Sequence, residues 1–175
     1  GIAAAFARAE HLVVMKDTSD ENLSRGTELI ASEVKRSRSL SSLEKGAIRN
    51  RVETARWSSV SLRRAKLVVE AVFEDMALKK RIFADLASQV GDDCILASNT
   101  SSLSITEMMA DIPNPSRGIG MHFFNPVAQM PLVEIVRGEK TSDAAVEFVA
   151  AMSTRLGKFP IVVRDVPGFL VNRVL

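Results

Sequence analysis

Lys66-Leu67-Val68-Val69-Glu70-Ala71-Val72-Phe73, then residues 75–90, then Cys94-Ile95-Leu96-Ala97-Ser98, form the stretch that decides the fold. Its first and last segments are apolar runs of strand length. The segment between them spaces Leu78, Ile82, Leu86 and Val90 four residues apart, which places them on one face of a helix. A strand, a helix and a strand within about 30 residues make a βαβ unit, whose two strands run parallel.

Outward from this unit the alternation continues in both directions. Towards the C-terminus, residues 104–110 read as a short helix stopped by Pro113 and Pro115, and 118–124 and 132–136 as strands. Residues 143–156 form a helix that turns Val146, Val149, Met152 and Leu156 inward and ends at Gly157. Residues 161–163 are a last strand, and Pro167 opens a helix that runs to the chain end at Leu175. Towards the N-terminus, residues 1–10 are alanine-rich and helical, and 12–15 form a strand that ends at Lys16-Asp17. Asp20 caps a helix to Ser39, and residues 41–52 make a second, basic helix. The pattern is that of an α/β domain with a mostly parallel sheet. A helix stands where such a sheet needs a strand for it to return from, so a first strand is expected upstream. Both ends of the chain read as cut.

At 175 residues, 46% hydrophobic and 25% charged, the composition is that of one ordinary soluble domain. No apolar run approaches the roughly 18 residues of a membrane span, and the start lacks the basic flank and cleavage site of a signal peptide. Cys94, the only cysteine, sits in an apolar run and reads as a buried thiol. A reducing, cytoplasmic setting is expected. The net charge of +2 conceals a basic stretch: residues 35–66 carry ten basic residues against Glu44 and Glu53. It reads either as a solvated helical face or as a surface for an anionic partner. Trp57 is its only aromatic residue, against the interleaved aromatics of a nucleic-acid surface.

Four sites can carry chemistry. Asp17 ends a strand; in a dinucleotide-binding unit such a carboxylate accepts the adenosine ribose hydroxyls and repels a 2′-phosphate, although the same residue also serves as a turn former. Asn99-Thr100-Ser101-Ser102 follows a buried strand, at the carboxyl end where open α/β sheets bind ligands; a capped turn explains it equally well. His122, between apolar neighbours, is a candidate general base, histidine being the side chain that exchanges protons most readily near neutral pH. Glu134 lies in the apolar run Leu132-Val133-Glu134-Ile135-Val136, where a carboxylate needs a partner. An imidazole is the simplest one; a core histidine and an edge glutamate are the alternative. Asn172 follows Gly168 in a helix, where its amide can reach a ligand or simply face solvent. No metal site is expected.

Together, Ala97-Ser98-Asn99-Thr100-Ser101-Ser102-Leu103, His122-Phe123-Phe124-Asn125-Pro126, Leu132-Val133-Glu134 and Asp165-Val166-Pro167-Gly168-Phe169-Leu170-Val171-Asn172-Arg173 resemble the 3-hydroxyacyl-CoA dehydrogenase family. Val69-Glu70-Ala71-Val72-Phe73-Glu74 adds a further match. Within the family the chain looks most like the α-subunit of a bacterial fatty-oxidation complex. The resemblance implies a Rossmann-type, doubly wound, mostly parallel sheet lacking its first strand and Gly-rich loop. It makes residues 1–175 a truncated NAD-binding domain, with a mostly absent C-terminal helical domain beginning at about 167. It implies His122 as the base that takes the 3-hydroxyl proton, Glu134 as its partner, and Ser101 and Asn172 at the substrate oxygen. Asp17, Ala71, Val72, Glu74, Lys79 and Asn125 would bind NAD. Lys35, Arg36, Arg38 and Lys45 become candidates for the phosphates of coenzyme A.

The reaction implied is oxidation of an L-3-hydroxyacyl-CoA by NAD+ in fatty-acid β-oxidation. The acyl-CoA substrate is the expected partner, with no nucleic acid and no membrane span, in a homodimer or a multienzyme complex. Without the Gly-rich loop the 175 residues alone are expected to bind NAD weakly and to be inactive. Another NAD-dependent 3-hydroxy-acid dehydrogenase, or an anion- or nucleic-acid-binding domain, is the competing reading.

Overall fold

The computed structural model describes residues 1–57 and 62–174. Residues 58–61 of the basic stretch, and Leu175 at the end of the expected last helix, lie outside the described residues. The chain divides into two units, Gly1–Val60 with Asn125–Met130, and Ser61–Phe124 with Pro131–Leu175.

The first unit runs α1 (Ile2–Arg8), β1 (Val13–Asp17), α2 (Asp20–Arg36), α3 (Ser42–Asn50) and β2 (Val52–Arg56). β1 and β2 are parallel, in register from Val13 opposite Val52 to Asp17 opposite Arg56. Ala4, Ala7, Ile30, Val34 and Ile48 are buried together, with Val13, Met15, Leu40 and Val52 packed against them. The cap of α2 is Ser19, whose hydroxyl accepts the Asn22 N–H; Asp20 is the first helical residue, and the helix stops at Arg36, short of Ser39. Asp20 and Glu21 in its first turn and Lys35 and Arg36 in its last complement the helix dipole. A capping box of Ser41 and Glu44 starts α3. The helix expected to reach Val52 ends at Asn50, and Val-Glu-Thr-Ala-Arg becomes strand β2.

The second unit runs β3 (Leu67–Glu70), α4 (Met76–Gln89), β4 (Ile95–Ser98), α5 (Ile105–Met108), a 3-10 turn (Pro115–Arg117), β5 (Gly118–Phe123), β6 (Leu132–Arg137), α6 (Asp143–Arg155), β7 (Phe159–Arg164) and α7 (Val171–Val174). The five strands lie in sequence order in one sheet. All neighbours are parallel except β5 and β6. The expected mostly parallel α/β fold is what the chain forms. Two helices are rotated from the expected faces. α4 buries Lys79, Phe83 and Leu86 while Leu78 and Ile82 are only half-buried, and α6 buries Ala145, Val149 and Ser153. The last helix starts at Val171, because Pro167 to Leu170 form a turn in which Gly168 has φ +75°. Asn172 is therefore in the first turn of α7. Among the described residues no helix is long and apolar enough to cross a membrane.

Candidate active site

The antiparallel pairing of β5 and β6 sets His122 directly opposite Glu134. Side chains of directly paired residues leave the sheet on the same face, so the two strands need no further device to bring them together. His122 Nδ1 and Glu134 Oε2 are 2.8 Å apart, with both side chains almost fully enclosed. The other oxygen of Glu134 accepts the N–H groups of Leu170 (3.0 Å) and Val171 (2.9 Å). Thus the turn after β7 closes the far side of the carboxylate. The imidazole packs against Phe124, with ring centroids 4.5 Å apart, and Phe169 lies 6.0 Å away. With Nδ1 committed to Glu134, Nε2 is the nitrogen left to exchange a proton.

A second cluster forms where β3 and β4 end. Glu74 Oε1 accepts the Thr100 hydroxyl (2.6 Å), the Ser101 N–H (2.8 Å) and the Ser101 hydroxyl (3.1 Å). Burial alone would raise its carboxyl. The donated hydrogen bonds and the ammonium of Lys79 outweigh that and hold it below its ordinary value of 4.5. Asn172 donates its amide to the Ser101 carbonyl (3.1 Å), so the two proposed substrate contacts touch. Asn99 Oδ1 accepts the N–H of Phe123, tying the end of β4 to the residue after His122. Asp165 receives the Ser104 hydroxyl and the N–H groups of Ile105 and Thr106, which fixes the start of α5.

Lys79 is wholly buried: its ammonium lies 2.9 Å from Glu70 and 3.4 Å from Glu74. Ala71 and Val72 are exposed. Glu70 was not singled out by sequence. The signal was present: like Glu134, it is a carboxylate in an apolar run, and such a residue demands a partner.

In the first unit, Asp17 accepts the Ser19 N–H (2.9 Å) and the Asn22 side-chain amide (3.1 Å), both through Oδ1. Oδ2 remains for a further donor such as a ribose hydroxyl. Lys35, Arg36, Arg38 and Lys45 gather around the α2–α3 connection. Lys45 Nζ donates to the Lys35 carbonyl, and Arg36 Nε donates to the Ser32 carbonyl. Asn125 precedes Pro126 across a cis peptide bond. Separately, in the second unit, a cavity of about 180 Å³ lined by Ile105, Thr106, Met109, Gly118, Gly138 and Thr141 contains none of the predicted site residues.

A family model described as "3-hydroxyacyl-CoA dehydrogenase, NAD binding domain" matches residues 1–166. A fatty acid oxidation complex subunit alpha from Idiomarina loihiensis is 43% identical over 182 aligned positions; the match takes in the whole of this chain and 25% of the relative. The chain thus spans about a quarter of the length of that relative. Among solved structures, 3-hydroxybutyryl-CoA dehydrogenase from Escherichia coli K12 superposes with a TM-score of 0.95 at 36% identity, covering 99% of this chain and 37% of that one. The (S)-3-hydroxybutyryl-CoA dehydrogenase PaaH1 of Ralstonia eutropha gives 0.93 at 41% identity, covering 99% and 62%.

Proposed function

Because this chain belongs to the family of the 3-hydroxyacyl-CoA dehydrogenase NAD-binding domain, we propose that it forms the catalytic and cofactor-binding part of an enzyme oxidising L-3-hydroxyacyl-CoA to 3-ketoacyl-CoA with NAD+. The observation that carries the reading is the enclosed pair of His122 and Glu134, 2.8 Å apart, with Glu134 held from behind by two backbone amides.

His122 Nε2 removes the proton of the 3-hydroxyl as the C3–H bond breaks and the carbonyl forms. Glu134 fixes the tautomer that presents Nε2 and then faces the positive imidazolium, which it stabilises. Bound NAD+ would supply the acceptor for the C3 hydride, and the residues of this chain position and deprotonate the substrate. Ser101, tied to Glu74 and Asn172, positions the reacting oxygen, and Asn172 is a second contact to it. Glu74, with Lys79 behind it, Ala71 and Val72 serve the cofactor in the second unit. Asp17 and Asn125 serve it in the first. Asp17 suits NAD+ over NADP+, since its carboxylate can receive a ribose hydroxyl but repels a phosphate. Lys35, Arg36, Arg38 and Lys45 offer positive charge to the phosphates of coenzyme A. We assign the enzyme to the cytoplasm and to fatty-acid β-oxidation, as a homodimer or as part of a fatty-oxidation complex.

The test uses the full-length polypeptide that carries this chain and follows NADH formation from L- and D-3-hydroxyacyl-CoA. The L substrate should be oxidised with NAD+, and NADP+ should serve at least about tenfold less well, the discrimination expected of one misplaced charge. Preference for the D substrate, or no oxidation of either, contradicts the proposal.

A further inference from the structure

Behind Glu74 lies a buried ion pair of Lys79 and Glu70, and the chemistry above gives Glu70 no role. Glu70, at the end of β3, and Lys79, on α4, have side chains 2% and 0% exposed, against 35% for Glu74. Lys79 Nζ donates to both oxygens of Glu70, at 2.9 and 3.0 Å, and lies 3.4 Å from Glu74 Oε2. Glu70 is held further by the Ser98 hydroxyl (2.7 Å) and the Val72 N–H (2.6 Å). Only Glu74 of the three has a face open to solvent.

Burying two charges costs several kcal/mol in desolvation per ion, and well-packed apolar residues often stabilise a fold at least as well. Stability alone is thus a weak reason for the group to be ionic. Its arrangement suggests another. Lys79 is a single cation shared between two carboxylates, and what it gives to one it withholds from the other. With Glu70 holding two of its protons, its pull on Glu74 is limited. Glu74 Oε1 is then free to receive Thr100 and Ser101.

We propose that Glu70 is a positioning residue. By anchoring Lys79 it keeps the Glu74 carboxylate turned toward the Thr100-Ser101 turn, in the orientation that meets the cofactor. The inference rests on the reading of Glu74 as a cofactor contact. Without the charge at position 70, Lys79 turns wholly onto Glu74 and draws it away from Ser101.

The experiment titrates NADH fluorescence in the full-length polypeptide carrying Glu70→Gln, Glu74→Gln, or both. Each single change should weaken NADH binding about tenfold, and the double variant should bind no worse than Glu74→Gln alone, since contacts that act in series are non-additive. An unchanged affinity in Glu70→Gln, or losses that multiply in the double variant, overturns the proposal and leaves the cofactor reading standing. An unchanged affinity in Glu74→Gln removes the cofactor reading and the proposal with it. Should Glu70→Gln fail to fold, Ser98→Ala removes one donor to Glu70 without unbalancing the charges. It should weaken NADH binding about threefold, the effect of one hydrogen bond; unchanged affinity there also overturns the proposal.

Discussion

At His122 one ring nitrogen is spoken for and the other is not, and this asymmetry gives the residue a direction. Glu134 is acceptor to three donors: the imidazole, Leu170 N–H and Val171 N–H. A carboxylate so enclosed cannot rotate without giving up these hydrogen bonds, each worth about 1 kcal/mol. The imidazole it orients is correspondingly fixed. Cys94 shows the opposite use of burial. Its thiol is fully enclosed, and burial, opposed in part by Arg117, pushes it up from 9.0 to about 11. Because the thiolate is the reactive form, native protein at pH 8 should resist iodoacetamide and label fully only in denaturant. Equal labelling rates in the two conditions would show that the thiol is accessible. Both residues were legible in sequence for one reason: a polar or ionisable group inside an apolar run announces that it is buried and, if charged, partnered. Lys79 gave no such signal, because a lysine on a helix is ordinarily solvated. Its burial depends on Glu70, nine residues earlier in the chain and on another element.

At the level of elements, β5 is the strand on which the site is built. All six of its residues are buried. Gly120 lies opposite Val136 on β6, and a methyl added there would come within 2.6 Å of the Val136 Cβ and 3.1 Å of Ile105 Cδ1. Gly120→Ala should therefore destabilise the fold by about 1–3 kcal/mol through overpacking, read as a lower denaturation midpoint. No loss would mean that β5 and β6 can separate, and with them His122 and Glu134. The long βαβ unit was readable because its period changes cleanly from strand to helix and back. β2 was not, because Glu53, Thr54 and Arg56 break its apolar pattern and only Ala55 is fully buried. Only Arg51 separates it from a basic helix, with no glycine or proline to mark the break. The faces of α4 and α6 lie about a residue from those the spacing of large apolar residues marks, for a related reason: small and charged residues, Ala145, Ser153 and Lys79, take the buried positions beside Val146, Met152 and Leu78. Tertiary packing decided these faces, and local pattern could not.

Across the whole molecule the chemistry is divided between two units. The first holds Asp17 and the basic α2–α3 connection; the second holds the imidazole, its carboxylate and the Glu74–Ser101 cluster. In the proposed function, cofactor binding and proton transfer rest on different side chains, so each can be altered separately. The division itself was not legible, because the sequence reads as one domain; the candidate residues were, since acidic and polar residues at the carboxyl ends of parallel strands mark where ligands sit. The pairing of Glu70 with Lys79 was not, because the lysine lies on another element, where that residue type is ordinarily solvated. The most direct measurement compares His122→Gln with the unaltered sequence in the full-length polypeptide, recording kcat for L-3-hydroxyacyl-CoA oxidation and the Kd for NADH. Loss of the base should lower kcat by about 10²–10⁴ while NADH affinity changes less than about twofold. A kcat within a few-fold of the unaltered protein, or a parallel loss in NADH affinity, would contradict the assignment of His122 as the base.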